Sequence, residues 1–205
     1  MRSEARSYLS GNWKNAVLTT IVFVLITSAP NFILKEFLSR DTTSLFSIVY
    51  SLLVGAPITL GYTMFILKLT RKQNAEMSDL FEGFNNYGTI VFLAFKIGLF
   101  VVLWSLLLVI PGIIAALRYS QAYYVFIDNP KMGASEALDK SKELMRGNAG
   151  KLFLFILSFI GWFLLLAITC GIAGLWVLPY FYAAMAVFYR KLTSGEISNN
   201  EISSN

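Results

Sequence analysis

Lys96 and Arg118 are the two charged side chains that lie inside long apolar runs of this 205-residue chain, so any site chemistry starts with them. Counted inward from the nearer polar end at about 1.5 Å per residue, each lies roughly 12 to 15 Å deep, and their charged ends could meet at similar depth. No carboxylate occurs within the apolar runs to neutralise either one. Arginine cannot escape burial by shedding its proton, whereas lysine can. A lone charge at such a depth costs at least about 2.5 to 3.5 kcal/mol, so Arg118 must meet water, helix-end carbonyls or an anion. Gln121 falls on the same helical face, and Tyr119, Tyr123 and Tyr124 are close in sequence. Together they describe a basic pocket for an anionic group such as a lipid phosphate or a peptide carboxylate. Snorkelling of a long side chain to the inner interface is the competing account of both cations, and the stronger one for Lys96.

The residue types that are missing narrow the chemistry further. There is no His, which removes His-based triads, H-E-x-x-H zinc sites and the usual proton relays. One cysteine, Cys170, allows no intrachain disulfide and no C-x-x-C pair. Neither a Walker-type phosphate loop nor a G-x-G-x-x-G fingerprint is present. Ser and Tyr occur, but no base is placed to activate them. The expectation is a protein that is not an enzyme and carries no cofactor.

The elements that position these residues follow from composition. The chain is 56% hydrophobic and 14% charged with a mean hydropathy of +0.62, far from the quarter of charged residues usual in soluble domains. A helix needs roughly 20 apolar residues to cross a hydrocarbon core of about 30 Å. Candidate spans run over 16–34, 45–69, 89–110, 113–127, 152–169 and 172–189. Pro30 lies near the far end of the first, and Gly55-Ala56-Pro57 interrupts the second. Pro111-Gly112 ends the third, Cys170-Gly171 joins the last two, and Pro179 lies inside the sixth. The first is too long for a signal-peptide core and is read as a retained helix. The expected fold is therefore all-α: a polytopic membrane bundle of six transmembrane helices in three hairpins, with residues 1–192 as one integral membrane domain. Two of the turns have almost no polar residues, as expected of hairpins that turn at or within the far membrane face.

Charge orients the bundle. Net charge is +5 and the isoelectric point about 9.3, but the basic residues sit beside apolar runs, which suits anionic lipid and not nucleic acid. Of 17 Lys and Arg, 13 fall in the N-terminal segment, the loops after the second and fourth spans, and the ends there. Lys35 and Arg40 alone occupy an opposite loop. By the positive-inside rule both termini are cytoplasmic, which an even number of spans allows.

The inner loops have structure of their own. Over 134–146, Ala134, Ala137, Leu138, Ser141, Leu144 and Met145 share one helical face, and Glu136, Asp139, Lys140, Glu143 and Arg146 the other. This predicts an amphipathic helix on the inner surface, with a shorter one over 77–84. Asp128-Asn129-Pro130 reads as a turn. The polar stretch 193–205 is expected to be disordered. Leu9-Ser10-Gly11-Asn12 and Met145-Arg146-Gly147-Asn148 precede apolar runs in the same way, as does Phe81-Glu82-Gly83-Phe84, which hints at three repeated hairpins. Glycines and prolines at ordinary helix ends would give the same hint. Trp13, Trp104, Trp162, Trp176, Tyr180 and Tyr189 fit interfacial belts or bundle packing. Ala183, Ala184 and Ala186 suit close helix contact, within the chain or between copies in a homo-oligomer.

Several motifs in fixed order carry a resemblance. They are the run from Leu103-Trp104-Ser105 through Pro111-Gly112-Ile113-Ile114, then Tyr119-Ser120, Asp128-Asn129-Pro130, Ser135-Glu136-Ala137, Ser141-Lys142-Glu143-Leu144-Met145, Ser158-Phe159-Ile160-Gly161-Trp162 and Trp176-Val177-Leu178-Pro179-Tyr180. In these the chain resembles a bacterial integral-membrane family, domain-of-unknown-function family 975, densely from about 81 to 192 and more thinly before. The resemblance implies a multi-pass plasma-membrane protein with no assigned catalytic residues. The chain departs from the family pattern at Ala115, where Lys is usual, at Arg118, where a small residue is usual, and at Ala149-Gly150, where a basic-aromatic pair is usual.

Two functions fit. One is a non-enzymatic membrane protein that binds lipid, with anionic headgroups at the inner face, or a membrane-active peptide, or that serves a partner membrane protein as an accessory or tolerance subunit. The other is a small transporter or channel for a solute or peptide, suggested by the Pro-broken helices and weakened by the lack of membrane carboxylates.

Overall fold

Residues 2–37, 40–169 and 171–195 are described by the structure, a computed structural model, with backbone alone given at 29, 31–37 and 40–43. Cys170, residues 196–205 of the polar tail, and the side chains of Lys35 and Arg40 lie outside the described residues. All regular structure among the described residues is helical. The helices are α1 (Arg2–Leu9), α2 (Trp13–Phe37), α3 (Arg40–Tyr50), α4 (Ala56–Thr70), α5 (Tyr87–Leu107), α6 (Val109–Tyr119), α7 (Ala122–Asp128), α8 (Ala134–Leu144), α9 (Ala149–Leu157), α10 (Ile160–Ile168) and α11 (Gly174–Thr193). A π-helical turn over Ser51–Gly55 joins α3 to α4, and Met77–Phe84 forms a 3-10 helix.

Three helical stretches are long and apolar enough to cross a membrane: Ser44–Thr70, Tyr87–Leu107 and Ala149–Ile168. A fourth results if α1 and α2 up to Ser28, bent by 96°, are counted as one. These correspond to the second, third, fifth and first expected spans. The fourth expected span is divided instead, because α6 and α7 part at Ser120-Gln121. Only 11% of the apolar window is buried in Tyr87–Leu107 and in Ala149–Ile168, against 33% in Ser44–Thr70, so α5 and the α9–α10 pair lie at the periphery.

Proline and glycine act differently from the expected breaks. Pro57 stands in the first turn of α4, where a missing N–H costs nothing, and the π-turn before it carries the chain on as helix. The third and fourth spans do not part at Pro111-Gly112. The turn is at Leu108, whose backbone is extended at φ −163°, ψ 148°, and Pro111 is again tolerated in a first helical turn. Gly112 serves close packing: a Cβ there would lie 2.1 Å from Ser105 Oγ, so α5 and α6 touch at that point.

The core gathers on α4, α7 and α11. Tyr62, Phe65, Phe126, Ala183, Ala184, Ala186 and Phe188 are buried. Thr20 on α2 is hydrogen-bonded to the Tyr62 hydroxyl at 2.8 Å, and Phe23 stacks on the same ring at 4.4 Å. Met77–Phe84 buries one face, Asp79, Leu80 and Gly83, and leaves Met77, Phe81 and Phe84 exposed. A Cβ on Gly61 would meet the Leu80 carbonyl oxygen at 2.1 Å, so the segment lies directly on α4. Its Asp79 is buried, accepts from Lys68 at 2.5 Å and caps the Glu76 N–H at 2.9 Å. The expected amphipathic helix is α8, which buries Ala134, Ala137, Leu138 and Ser141. Helix α1 packs on α11, the 3-10 helix on α4, and α8 on α7.

Candidate functional site

Arg118 lies in the last turn of α6 and lines a cavity of about 430 Å³ with Trp104, Pro111, Ile114, Ala115, Tyr119 and Lys142. Sequence dictates its walls. The Gly112–Ser105 contact brings α5 against α6, which sets Trp104 beside Pro111 and Ile114 as an apolar floor. The Ser141 hydroxyl donates to the Arg118 carbonyl at 2.7 Å and so docks α8 over α6. Lys142 follows at once and becomes the second cation of the cavity. Its ammonium bonds Asp139 at 2.8 Å and stands 5.7 Å from the Tyr119 ring centre and 5.9 Å from that of Phe100. The exposed Arg118 guanidinium has no hydrogen bond, ion pair or ring contact among the described residues. Two cations over an apolar floor, one of them without a partner, suit an anionic group attached to an apolar body.

Of the residues expected to share this site, the structure brings together Arg118 and Tyr119. Lys96 points elsewhere: its ammonium donates to the Ser135 hydroxyl at the start of α8 and lies 4.8 Å from the Phe92 ring. Gln121 is fully buried, donates to Ser120 Oγ at 3.0 Å and leaves its Oε1 without a partner among the described residues. Tyr123 lines a separate cavity of about 930 Å³, with Phe23, Thr27, Thr59, Gly98 and Val102 among its walls. Tyr124 stacks on Tyr189 at 5.3 Å and its hydroxyl reaches the Tyr182 carbonyl at 3.4 Å. Lys142 and Trp104 were missed as site residues. Trp104 looked like a belt residue, and Lys142 falls between the two faces of α8, where a helical projection assigns it to neither.

A second group of charges ties helix ends together. Arg71, just past α4, makes two bonds to Asp128 at 2.7 and 2.9 Å, and the Tyr189 hydroxyl donates to the same carboxylate at 2.8 Å. The bonds to Asp128 hold the Arg71 guanidinium more firmly protonated than usual. Arg190 donates to the Thr70 carbonyl at 2.6 Å, and Lys191 pairs with Glu4 at 2.9 Å. These contacts fasten α1, α4, α7 and α11 at one rim. Among the described residues no group of three or more Cys, Asp or Glu side chains is placed to hold a metal ion.

No curated protein and no solved structure matches the chain. One family model does, over residues 1–115 and 92–196, a range that takes in α1 through α11 and the Arg118 cavity. Its description is protein of unknown function (DUF975), and on that coverage the chain belongs to the DUF975 family.

Proposed function

We propose that this protein is a non-enzymatic, multi-pass protein of the bacterial cell membrane that binds anionic lipid through Arg118 and Lys142. The observation that carries the reading is the guanidinium of Arg118, which has no partner among the described residues yet lines a cavity with a second cation and an apolar floor. A lipid phosphate supplies the missing charge, and its acyl chain continues onto Trp104, Pro111 and Ile114. In this reading the chain forms three hairpins, each led in by a surface segment, with both termini and the Arg71–Asp128 rim on the cytoplasmic side. The same headgroup chemistry would admit the carboxylate of a membrane-active peptide, but the apolar floor favours a lipid.

The test is lipid retention through detergent purification, read by native mass spectrometry. A bond to a charged group is worth about 1.5 to 3 kcal/mol, so Arg118→Gln is expected to lower retention of anionic phospholipid roughly tenfold. Arg118→Lys should keep part of it, and Lys96→Gln should change little, since Lys96 is engaged by Ser135. Equal retention by wild type and Arg118→Gln sinks the proposal.

A transporter remains the second reading. It is favoured by the π-turn Ser51–Gly55, which forms one wall of the larger Tyr123 cavity. Solute flux in proteoliposomes that Tyr123→Trp blocks would support it over lipid binding alone.

A further inference from the structure

Helix α5 is long enough to cross a membrane, but α8 lies across it part of the way along. Ser135 on α8 receives the Lys96 ammonium, Lys142 stands over Phe100, and Ser141 bonds the Arg118 carbonyl on α6. Beyond that crossing little length remains. At about 1.5 Å per residue, the turn at Leu108 is about 18 Å from Lys96, about 12 Å from Phe100 and about 15 Å from Arg118. A hydrocarbon core is about 30 Å thick.

The outward face of α8 determines the level at which this crossing lies. Glu136, Asp139, Lys140, Glu143 and Arg146 are exposed, and the side chains of Asp139 and Glu143 are about 70% accessible. Were the Leu108 turn to reach the far headgroups, these charges, Arg118 and Lys142 would all stand in hydrocarbon without water. The side chains of the turn ask for no water. Leu106, Leu107, Leu108, Val109 and Ile110 are 66 to 77% exposed, the Leu108 N–H bonds the Trp104 carbonyl at 3.2 Å, and the Gly112 N–H bonds the Leu108 carbonyl at 3.3 Å. By contrast the end of α2 and the start of α3 carry Lys35, Glu36, Arg40 and Asp41, which do require an aqueous face.

We infer that the α5–α6 hairpin is seated in the acyl chains of the cytoplasmic leaflet alone and turns near the bilayer midplane, with Arg118, Lys142 and α8 at the level of the headgroups. The hairpin α2–α4 crosses the membrane, whereas α5–α6 adds helix volume to one leaflet and completes no crossing. With α11, a 20-residue helix that is not among the stretches apolar enough to cross by themselves, counted beside α2, α3–α4 and α9–α10, the six crossings expected from apolar runs fall to four, still even, with the termini on one side. The leaflet assignment rests on the cytoplasmic orientation proposed above; the depth does not.

Depth is read on the natural Trp104, about 6 Å from the turn, in a chain with Trp13, Trp162 and Trp176 replaced by Phe. In vesicles of brominated phosphatidylcholines, quenching is expected to be strongest for bromines nearest the chain ends. Strongest quenching by shallow bromines, or quenching by an impermeant aqueous quencher added outside, overturns the inference. A second measurement places single cysteines in a Cys170→Ala chain in cells. Thr42→Cys should react with an impermeant maleimide from outside, and Leu108→Cys should react only after detergent is added. Labelling of Leu108→Cys from outside restores a full crossing and overturns the inference. Labelling of Glu143→Cys, on the exposed face of α8, from outside overturns the leaflet and the proposed orientation together, whereas a shallow Trp104 overturns the depth alone.

Discussion

The rim around Asp128 and the cavity around Arg118 both collect cations, and they treat them in opposite ways. At the rim each cation is answered from within the chain: Arg71 by Asp128, Lys191 by Glu4, Arg190 by the Thr70 carbonyl at the end of α4. Each answer comes from a different helix, so every pair holds two elements together. In the cavity Lys142 is answered on its own helix by Asp139, which fastens nothing, and Arg118 is not answered among the described residues. The difference separates charges that build the bundle from charges available to something outside it. It also explains why a count of basic residues alone points to lipid without saying which of them would touch it.

Substitutions can break that distinction. The largest loss of stability is expected for Asp128→Ala, which removes two bonds to Arg71 and one to Tyr189. A charged hydrogen bond contributes about 1.5 to 3 kcal/mol, and since both partners are partly accessible the expected cost is about 2 kcal/mol in thermal unfolding in detergent. Arg118→Gln should stay within about 0.5 kcal/mol of wild type in the same assay, as surface changes do. If the two variants lose similar stability, Arg118 is a structural residue after all.

Next comes Gly112→Ala, which places a methyl group against Ser105 and should push α5 from α6 at a cost of about 1 kcal/mol, the low end for overpacking at a site near the periphery. It should weaken lipid retention too, because it disturbs the cavity floor while leaving both cations in place. Ser105→Gly in the same chain should restore part of both. Recovery of stability without recovery of lipid would show that the floor takes no part in binding.

The smallest effect sharpens the rim. The hydrogen bond from Lys191 holds the Glu4 carboxyl below its ordinary value of 4.5. A lowered carboxyl stabilises the fold above its unfolded value, and the gain is lost as pH falls through the folded one. Glu4 is 43% accessible, so the gain is expected to be under about 0.5 kcal/mol after screening. Unfolding of wild type and Lys191→Met followed below pH 4.5 should converge. A difference that persists after Glu4 is protonated would assign Lys191 another role in the rim.

Much of the bundle is legible in the residues alone. Apolar runs of helical length, almost free of charge, require helices in an apolar solvent, since no other backbone form satisfies its own polar groups there. The period of α8 also announces itself, because Ala134, Ala137, Leu138 and Ser141 recur at the spacing of one helical face. The unneutralised charge of Arg118 is visible for a similar reason: no acidic residue lies near enough in its run to answer it. Tertiary structure alone decided what meets across helices. Lys142 reaches the Arg118 cavity because Ser141 docks on a carbonyl of another helix, and Gln121 and Tyr123 turn away because α6 and α7 part at Ser120. Helical spacing specifies which side chains share a face. Which face meets which neighbour depends on close approaches such as Gly112 on Ser105 and Gly61 on Leu80, and those are set by packing between segments distant in sequence or across a turn whose position the residues leave open.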